Sequence, residues 1–141
     1  MCSVYTLGTA HSMHEHEESE IVLSTLGHTW LLDLDGTIVK HNGYKLDGKD
    51  SFLSGAKEFL QSIPKKDMIV FITSRIDEFK EQTLDFLQKN EIRYDYIVFN
   101  APYGERILVN DEKPSGLKMS KGINLKRDEE VRIKIVENPE L

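Results

Sequence analysis

The feature that most constrains this chain is a short apolar run that turns acidic and then meets a glycine. Residues 30–35 read Trp-Leu-Leu-Asp-Leu-Asp, and Gly36 and Thr37 follow directly. A run of this kind is typical of a buried strand that ends at a turn. The carboxylates of Asp33 and Asp35 are therefore expected where that strand ends.

Similar apolar runs recur along the chain and alternate with helical patterns. Strands are predicted at residues 68–72, 96–99 and 107–109, with a fifth candidate at 122–125 and a half-exposed terminal strand at 131–136. Helices are predicted where apolar residues recur at helical spacing, at residues 56–63 before Pro64 and at residues 79–87 before Asn90.

Strands that alternate with helices predict an α/β fold, a doubly wound parallel sheet with helices on both faces. A chain of 141 residues has room for one such core. We expect this domain at residues 29–141, preceded by an N-terminal extension of uncertain order at residues 1–28. Within the extension, the apolar run at residues 21–23 fits an added edge strand or a short helical turn.

The first 20 residues are polar and show no sustained period. Cys2 is the single cysteine, so it is interpreted as a stray thiol and not as half of an internal disulfide. His11, His14 and His16 have no visible framework that would fix them as metal ligands. No membrane-span run or signal-peptide pattern is seen, so the cytoplasm is the expected location.

The formal net charge of −6 argues against a general nucleic-acid binder, which would normally carry a basic face. It leaves open a nucleotide or a nucleic-acid end as substrate, because a bound divalent cation can offset local charge.

Polar, reactive side chains follow three of the predicted strands. In an open α/β sheet, ligands bind beyond the carboxyl ends of the strands. Asp33 and Asp35, then Thr73 and Ser74, then Asp111 are therefore expected to share one crevice. Close carboxylates repel each other, and Mg²⁺ would relieve that repulsion, with Asp33 and Asp111 as the expected side-chain ligands. The Thr73 hydroxyl and the backbone N–H groups around Ser74 suit phosphoryl oxygens.

The motif at residues 33–37, Asp-Leu-Asp-Gly-Thr, resembles the D-x-D-G-T signature of haloacid dehalogenase (HAD)-like hydrolases. Thr73-Ser74 resembles the second motif of that superfamily, and Val109-Asn110-Asp111 resembles the fourth. The resemblance covers residues 29–125. Residues 38–54 are too short for a folded cap domain, so the chain resembles the small capless phosphatases.

The resemblance implies an Mg²⁺-dependent phosphomonoesterase that works through an aspartyl-phosphate. Asp33 would attack phosphorus, and Asp35 would act as acid and base and offer its main-chain carbonyl to the metal. Thr73 would hold the phosphoryl group, with Ser74 beside it, and Asp111 would complete the metal site. Asn110 departs from the pattern, because the fourth motif often carries two acids.

The third motif of the family requires a Lys or Arg that neutralises the nucleophile and the phosphate. Arg106 is the first choice for this role, and Lys113 and Lys118 are the rivals. Lys113 is also a candidate substrate-binding residue.

The expected substrate is a phosphorylated small metabolite such as a sugar phosphate. One alternative is the phosphate end of a nucleic acid, polysaccharide or protein. Others are a phosphoacceptor signalling domain and a non-catalytic binding module that retains the fold. Capless members either accept a large substrate or close their site by oligomerisation. A homo-oligomer is therefore kept as one alternative.

Several neighbouring residues have simpler interpretations. Arg75 is interpreted as a surface salt-bridge residue and Trp30 as packing. The loop residues His41, Tyr44 and Lys45 fit either contact with the leaving group or a solvated loop. Residues 114–116, Pro-Ser-Gly, fit a turn with a helix start, with substrate positioning as the alternative.

Overall fold

The computed structural model describes residues 19–141, and its regular elements are a mixture of helices and parallel strands. The predictions for Cys2, His11, His14 and His16 fall outside the described residues. In chain order the elements are β1 (Ser19–Leu23), β2 (Thr29–Leu32), α1 (Gly43–Leu46), α2 (Ala56–Ser62), β3 (Met68–Ile72), a 3₁₀ turn (Asp77–Phe79), α3 (Lys80–Lys89), β4 (Tyr96–Val98) and β5 (Ile133–Glu137). Within the described range, no helix has the length and apolar character of a membrane span.

The strands form two small open sheets, and every strand pair is parallel. The order of the first sheet is β2-β3-β4, with Leu32 opposite Phe71 and Phe71 opposite Ile97. The second sheet pairs β1 with β5. Parallel α/β pairing is therefore confirmed, and the run at residues 21–23 is a strand and not a helical turn. The two terminal strands pair with each other and do not extend one larger sheet.

The sheet of β2, β3 and β4 is buried mainly on one face. Trp30, Ile69 and Phe71 point into the core, and the Trp30 ring meets the edge of Phe59 in α2 at 5.7 Å between centroids. Leu31 and Met68 on the other face are 49% and 41% exposed. The prediction of buried strands therefore holds for one face only, because the described residues leave Leu31 and Met68 on the other face partly open to solvent.

The two predicted helices are confirmed. In α2, Ala56, Phe59 and Leu60 are buried, and the helix ends just before Pro64, which cannot continue it. In α3, Thr83 and Leu87 are buried one turn apart, and the helix ends at Asn90, whose backbone N–H donates to the carbonyl of Phe86. These faces match the helical spacing of the apolar residues.

The predicted strands at residues 107–109 and 122–125 are wrong. Residues 99–130 contain no strand, and Ile107 and Val109 are 84% and 87% exposed. Strand preference of β-branched residues reflects packing on a pleated, half-buried surface, and these side chains have no such surface. Residues 113–117 form a local turn instead, closed by hydrogen bonds between Gly116 and Lys113 and between Lys113 and Leu117. The predicted turn at residues 114–116 is confirmed, but no helix begins there.

A buried carboxylate joins the amino ends of β2 and β3. Asp67, 2% exposed, accepts hydrogen bonds from the backbone N–H and the ring Nδ1 of His28 and from the indole N–H of Trp30, at 2.9–3.0 Å. Burial opposes ionisation, but the hydrogen bonds from Trp30 and His28 outweigh it and lower the pKa of Asp67. The ionised form of Asp67 therefore stabilises the start of the sheet.

We predict that Asp67→Asn lowers the free energy of unfolding by about 1–3 kcal/mol at neutral pH, because the amide keeps only one of the two oxygens that accept these hydrogen bonds. Asp67 has a lower pKa in the folded chain than in the unfolded chain. Its contribution is thus present above the unfolded pKa and is lost as the pH falls through the folded pKa. Urea unfolding across a pH series checks this, with exposed Asp85→Asn as the matched control. Equal effects of both variants at neutral pH would contradict the prediction.

Candidate functional site

Polar side chains from two neighbouring strands meet at the carboxyl edge of the β2-β3-β4 sheet. Asp33 follows β2, and Thr73, Ser74 and Arg75 follow β3. The N–H of Ala101, beyond β4, donates to the carbonyl of Thr73 and brings the chain after β4 to the same edge. The predicted convergence is thus found for the residues after β2 and β3.

A tight turn presents Asp33 and Asp35 at this edge. The N–H groups of residues 37–39 all donate to the carbonyl of Leu34, and the N–H of Gly36 donates to the carbonyl of Val39. Leu34 is buried beneath the turn. Gly36 has a φ of 85°, in the left-handed region that favours glycine. Local geometry therefore explains why Gly36 follows the two acids.

The carboxylate of Asp33 is partly exposed and has two close neighbours. The Thr37 hydroxyl donates to its Oδ2 at 3.0 Å, and Nη1 of Arg106 lies 3.7 Å from its Oδ1. Partial burial raises the pKa of Asp33, and the nearby charge of Asp35 adds to that rise. The Thr37 hydrogen bond and the charge of Arg106 oppose it without cancelling it.

Of the three predicted third-motif cations, Arg106 is the one that the structure brings to Asp33. Its guanidinium also donates to the carbonyl of Ile72 and to the Ser74 hydroxyl, each at 3.4 Å. Lys118 instead pairs with Glu112 at 2.6 Å, and Lys113 lies on the exposed turn of residues 113–117.

The Asp35 carboxylate is engaged by a buried arginine. Nε and Nη2 of Arg75 donate to its two oxygens at 3.1 and 2.9 Å. Arg75 is 3% exposed, so the interpretation of this residue as a surface salt-bridge partner is wrong. Burial opposes its charge, but Asp35 and Asp50 together raise the pKa of Arg75 above its usual value. A buried guanidinium is stable only with such partners.

The other partners of Arg75 were not predicted from the sequence. Asp50 accepts from both Nη atoms at 3.0 and 2.7 Å, and the Thr83 hydroxyl accepts from Nη1 at 2.8 Å. The Tyr44 ring lies 3.9 Å from the guanidinium carbon and is 8% exposed. Tyr44 is thus buried in α1 and does not lie on a solvated loop. One sequence signal points to these partners, namely an Arg directly after a predicted strand. Once such an Arg is buried it requires counter-ions, but the sequence does not indicate which residues supply them.

Thr73 lies directly after β3, at the same edge. It is 1% exposed, and its hydroxyl oxygen accepts a hydrogen bond from the backbone N–H of Arg75 at 3.1 Å. Ser74 is less buried, and its hydroxyl donates to the carbonyl of Pro102 at 3.2 Å. Ser74 is therefore the more accessible hydroxyl at this edge.

The three predicted metal ligands do not gather. Asp111 lies in the exposed segment where the fourth strand was expected, so no strand delivers it to the sheet edge. Among residues 19–141, no three His, Cys, Asp or Glu side chains are close enough to hold a metal ion together. The Asp35 carboxylate is engaged by Arg75, and Asp33 lies between Thr37 and Arg106. The Mg²⁺ site expected from the resemblance therefore stays a prediction.

A loop near the C-terminus covers the turn and was also missed from the sequence. The N–H of Asp128 donates to the carbonyl of Gly36 at 2.9 Å, and the Asp128 carboxylate accepts from the N–H of His41 at 2.7 Å. The Arg127 side chain lies against Gly36, with its Cγ 3.0 Å from where a Cβ would stand. These residues sit in a polar stretch with no period, so no sequence signal marks them.

Comparisons with known protein families, with curated proteins and with solved structures found no match to this chain. Function is therefore inferred from the geometry of the site and from the sequence motifs.

We predict that Asp33→Asn raises the melting temperature at neutral pH. Because the pKa of Asp33 is raised in the folded chain, its stabilising contribution is complete below the unfolded pKa and is lost as the pH rises through the folded pKa. The difference between variant and wild type should therefore grow from acidic to neutral pH. Thermal unfolding in metal-free buffer checks this, with exposed Asp111→Asn as control. A lower melting temperature for Asp33→Asn at neutral pH would contradict it.

Proposed function

We propose that this protein is a phosphomonoesterase of the HAD type that forms an aspartyl-phosphate at Asp33. The observation that carries the proposal is the pairing of the partly exposed Asp33 carboxylate with the Arg106 guanidinium, 3.7 Å apart. Arg106 supplies a binding group for an anionic phosphate beside an oxygen that can attack it. Asp35 lies two residues further along the same turn.

The reaction takes two steps. The Asp33 carboxylate attacks phosphorus, the bond to the ester oxygen breaks, and Asp35 supplies the proton that the leaving oxygen takes up. Asp35 then accepts a proton from water as that water attacks phosphorus. The bond to Asp33 breaks, and inorganic phosphate and the free carboxylate are released.

Arg106 and Ser74 are the proposed phosphoryl-binding groups. The guanidinium already contacts the Ser74 hydroxyl, and once that hydroxyl turns its proton away from the Pro102 carbonyl, both groups can donate to the non-bridging oxygens of one phosphoryl group. Binding of this kind offsets the repulsion between an anionic ester and an anionic nucleophile. The buried Thr73 hydroxyl stabilises the backbone at this edge, because it accepts a hydrogen bond from the N–H of Arg75.

For the fold, we propose a doubly wound HAD core. Two observations support it: the parallel order β2-β3-β4, and the position of the D-x-D-G-T and Thr-Ser motifs directly after β2 and β3. The proposed substrate is a phosphorylated small metabolite. Dependence on Mg²⁺ stays a prediction of the resemblance, and no step above passes through the metal.

The first test is hydrolysis of p-nitrophenyl phosphate, measured with added Mg²⁺ and with EDTA. We predict turnover by the wild-type chain and a loss of at least about 1,000-fold in Asp33→Asn, because the attacking oxygen is gone. Activity in Asp33→Asn close to that of wild type would refute the proposed nucleophile.

The same assay separates the candidate cations. Arg106→Ala should lower kcat/KM by about 100-fold or more, because the transferred phosphoryl group loses its charged donor. Lys118→Ala is the matched control, since Lys118 is exposed and paired with Glu112, and it should behave as wild type. The opposite ranking of the two variants would move the third-motif role to the loop lysines.

A further inference from the structure

The cluster around Arg75 is built from separate parts of the chain. Asp35 comes from the turn after β2, Tyr44 from α1, and Thr83 from α3. Asp50 comes from the segment between α1 and α2. The side chains of Arg75 and Asp50 are each 1% exposed, whereas that of Asp35 is 17% exposed. The cluster therefore opens to solvent at Asp35, the member on the nucleophile's turn.

Every N–H of the guanidinium has an acceptor. Nε donates to Asp35, Nη2 donates to Asp35 and Asp50, and Nη1 donates to Asp50 and Thr83. Arginine has five such donors in one rigid plane, so these bonds fix its orientation. The Tyr44 ring lies over the guanidinium and restricts it further.

We propose that Asp50 and Thr83 are positioning residues that act through Arg75 to orient Asp35 for proton transfer. This inference rests on the proposed function and deepens it. Each carboxylate oxygen can accept two hydrogen bonds, and Arg75 takes one at each oxygen of Asp35. The remaining directions can serve the leaving oxygen and the attacking water.

Asp50 also keeps the guanidinium in place while Asp35 transfers protons. A buried cation with a single partner would be left uncompensated whenever that partner moved towards substrate. Asp50 holds both terminal nitrogens and is itself buried, so Arg75 retains a counter-ion throughout. Neither Asp50 nor Thr83 needs to touch the substrate in this role.

The test compares two esters that differ in their need for an acid. p-Nitrophenolate leaves readily without a proton, whereas the alkoxide of a simple alkyl phosphate does not. For Asp50→Asn we expect kcat/KM, which reports formation of the aspartyl-phosphate and not its hydrolysis, to fall about 100-fold on the alkyl ester and less than about 5-fold on p-nitrophenyl phosphate. Thr83→Val, which keeps both charges, should show the same selectivity at smaller size.

The matched control is Asp47→Asn, which removes an exposed carboxylate paired with Lys40 from the same part of the chain. It should leave both esters unaffected. Equal losses of kcat/KM on the two esters in Asp50→Asn and Thr83→Val would mean a general structural role and would overturn the proposal. If Asp50→Asn does not fold, Thr83→Val decides.

A second readout does not depend on turnover. The Nε–H of Arg75 should give a sharp, slowly exchanging NMR signal in the wild-type chain, and Thr83→Val should speed its exchange. An unchanged signal would overturn the positioning role. A wild-type chain that hydrolyses neither ester would refute the proposed function and the catalytic part of this inference with it, whereas turnover without ester selectivity would refute the inference alone.

Discussion

The buried guanidinium of Arg75 is the interaction on which the rest of the site depends. It connects the turn after β2 with Asp50 and Thr83, three parts of the chain that are distant in sequence. Removing one partner from such a cluster leaves a buried charge uncompensated, so the stability of each member depends on the presence of the others. The orientation of the Asp35 carboxylate is therefore set by Arg75 and its buried partners, which lie far along the chain from the turn that carries Asp35.

The carboxylate proposed as the nucleophile shows the opposite tendency. Asp33 lies at the sheet edge beside Arg106, and its carboxylate is held less tightly than that of Asp35. Partial burial raises its pKa, so the ionised form costs stability in the free protein. A partly buried carboxylate beside a cation that can bind an anion is typical of functional sites. Asp33 therefore illustrates how the requirements of the proposed function and of folding stability compete at one residue.

Much of the fold could be predicted from the sequence, because local patterns and tertiary packing agree there. The runs at β2 and β3 and the helical spacing in α2 and α3 all appear where expected. The run at residues 107–109 has the same local preference for a strand, but its side chains are exposed and pack against no buried surface. The placement of Asp111 failed with it. The interpretation of Arg75 as a surface residue was wrong and Asp50 was missed, because burial and pairing of charges are non-local and no periodic pattern reports them.

The central claim is that Asp33 becomes covalently phosphorylated, and trapping that intermediate tests it most directly. A rapid acid quench during turnover of p-nitrophenyl phosphate, followed by peptide mass spectrometry, locates any added phosphoryl group. We expect it on Asp33, with higher occupancy in Asp35→Asn, because the second step then lacks its base. Phosphate found on another residue, or turnover with Asp33 unmodified throughout, would contradict this account.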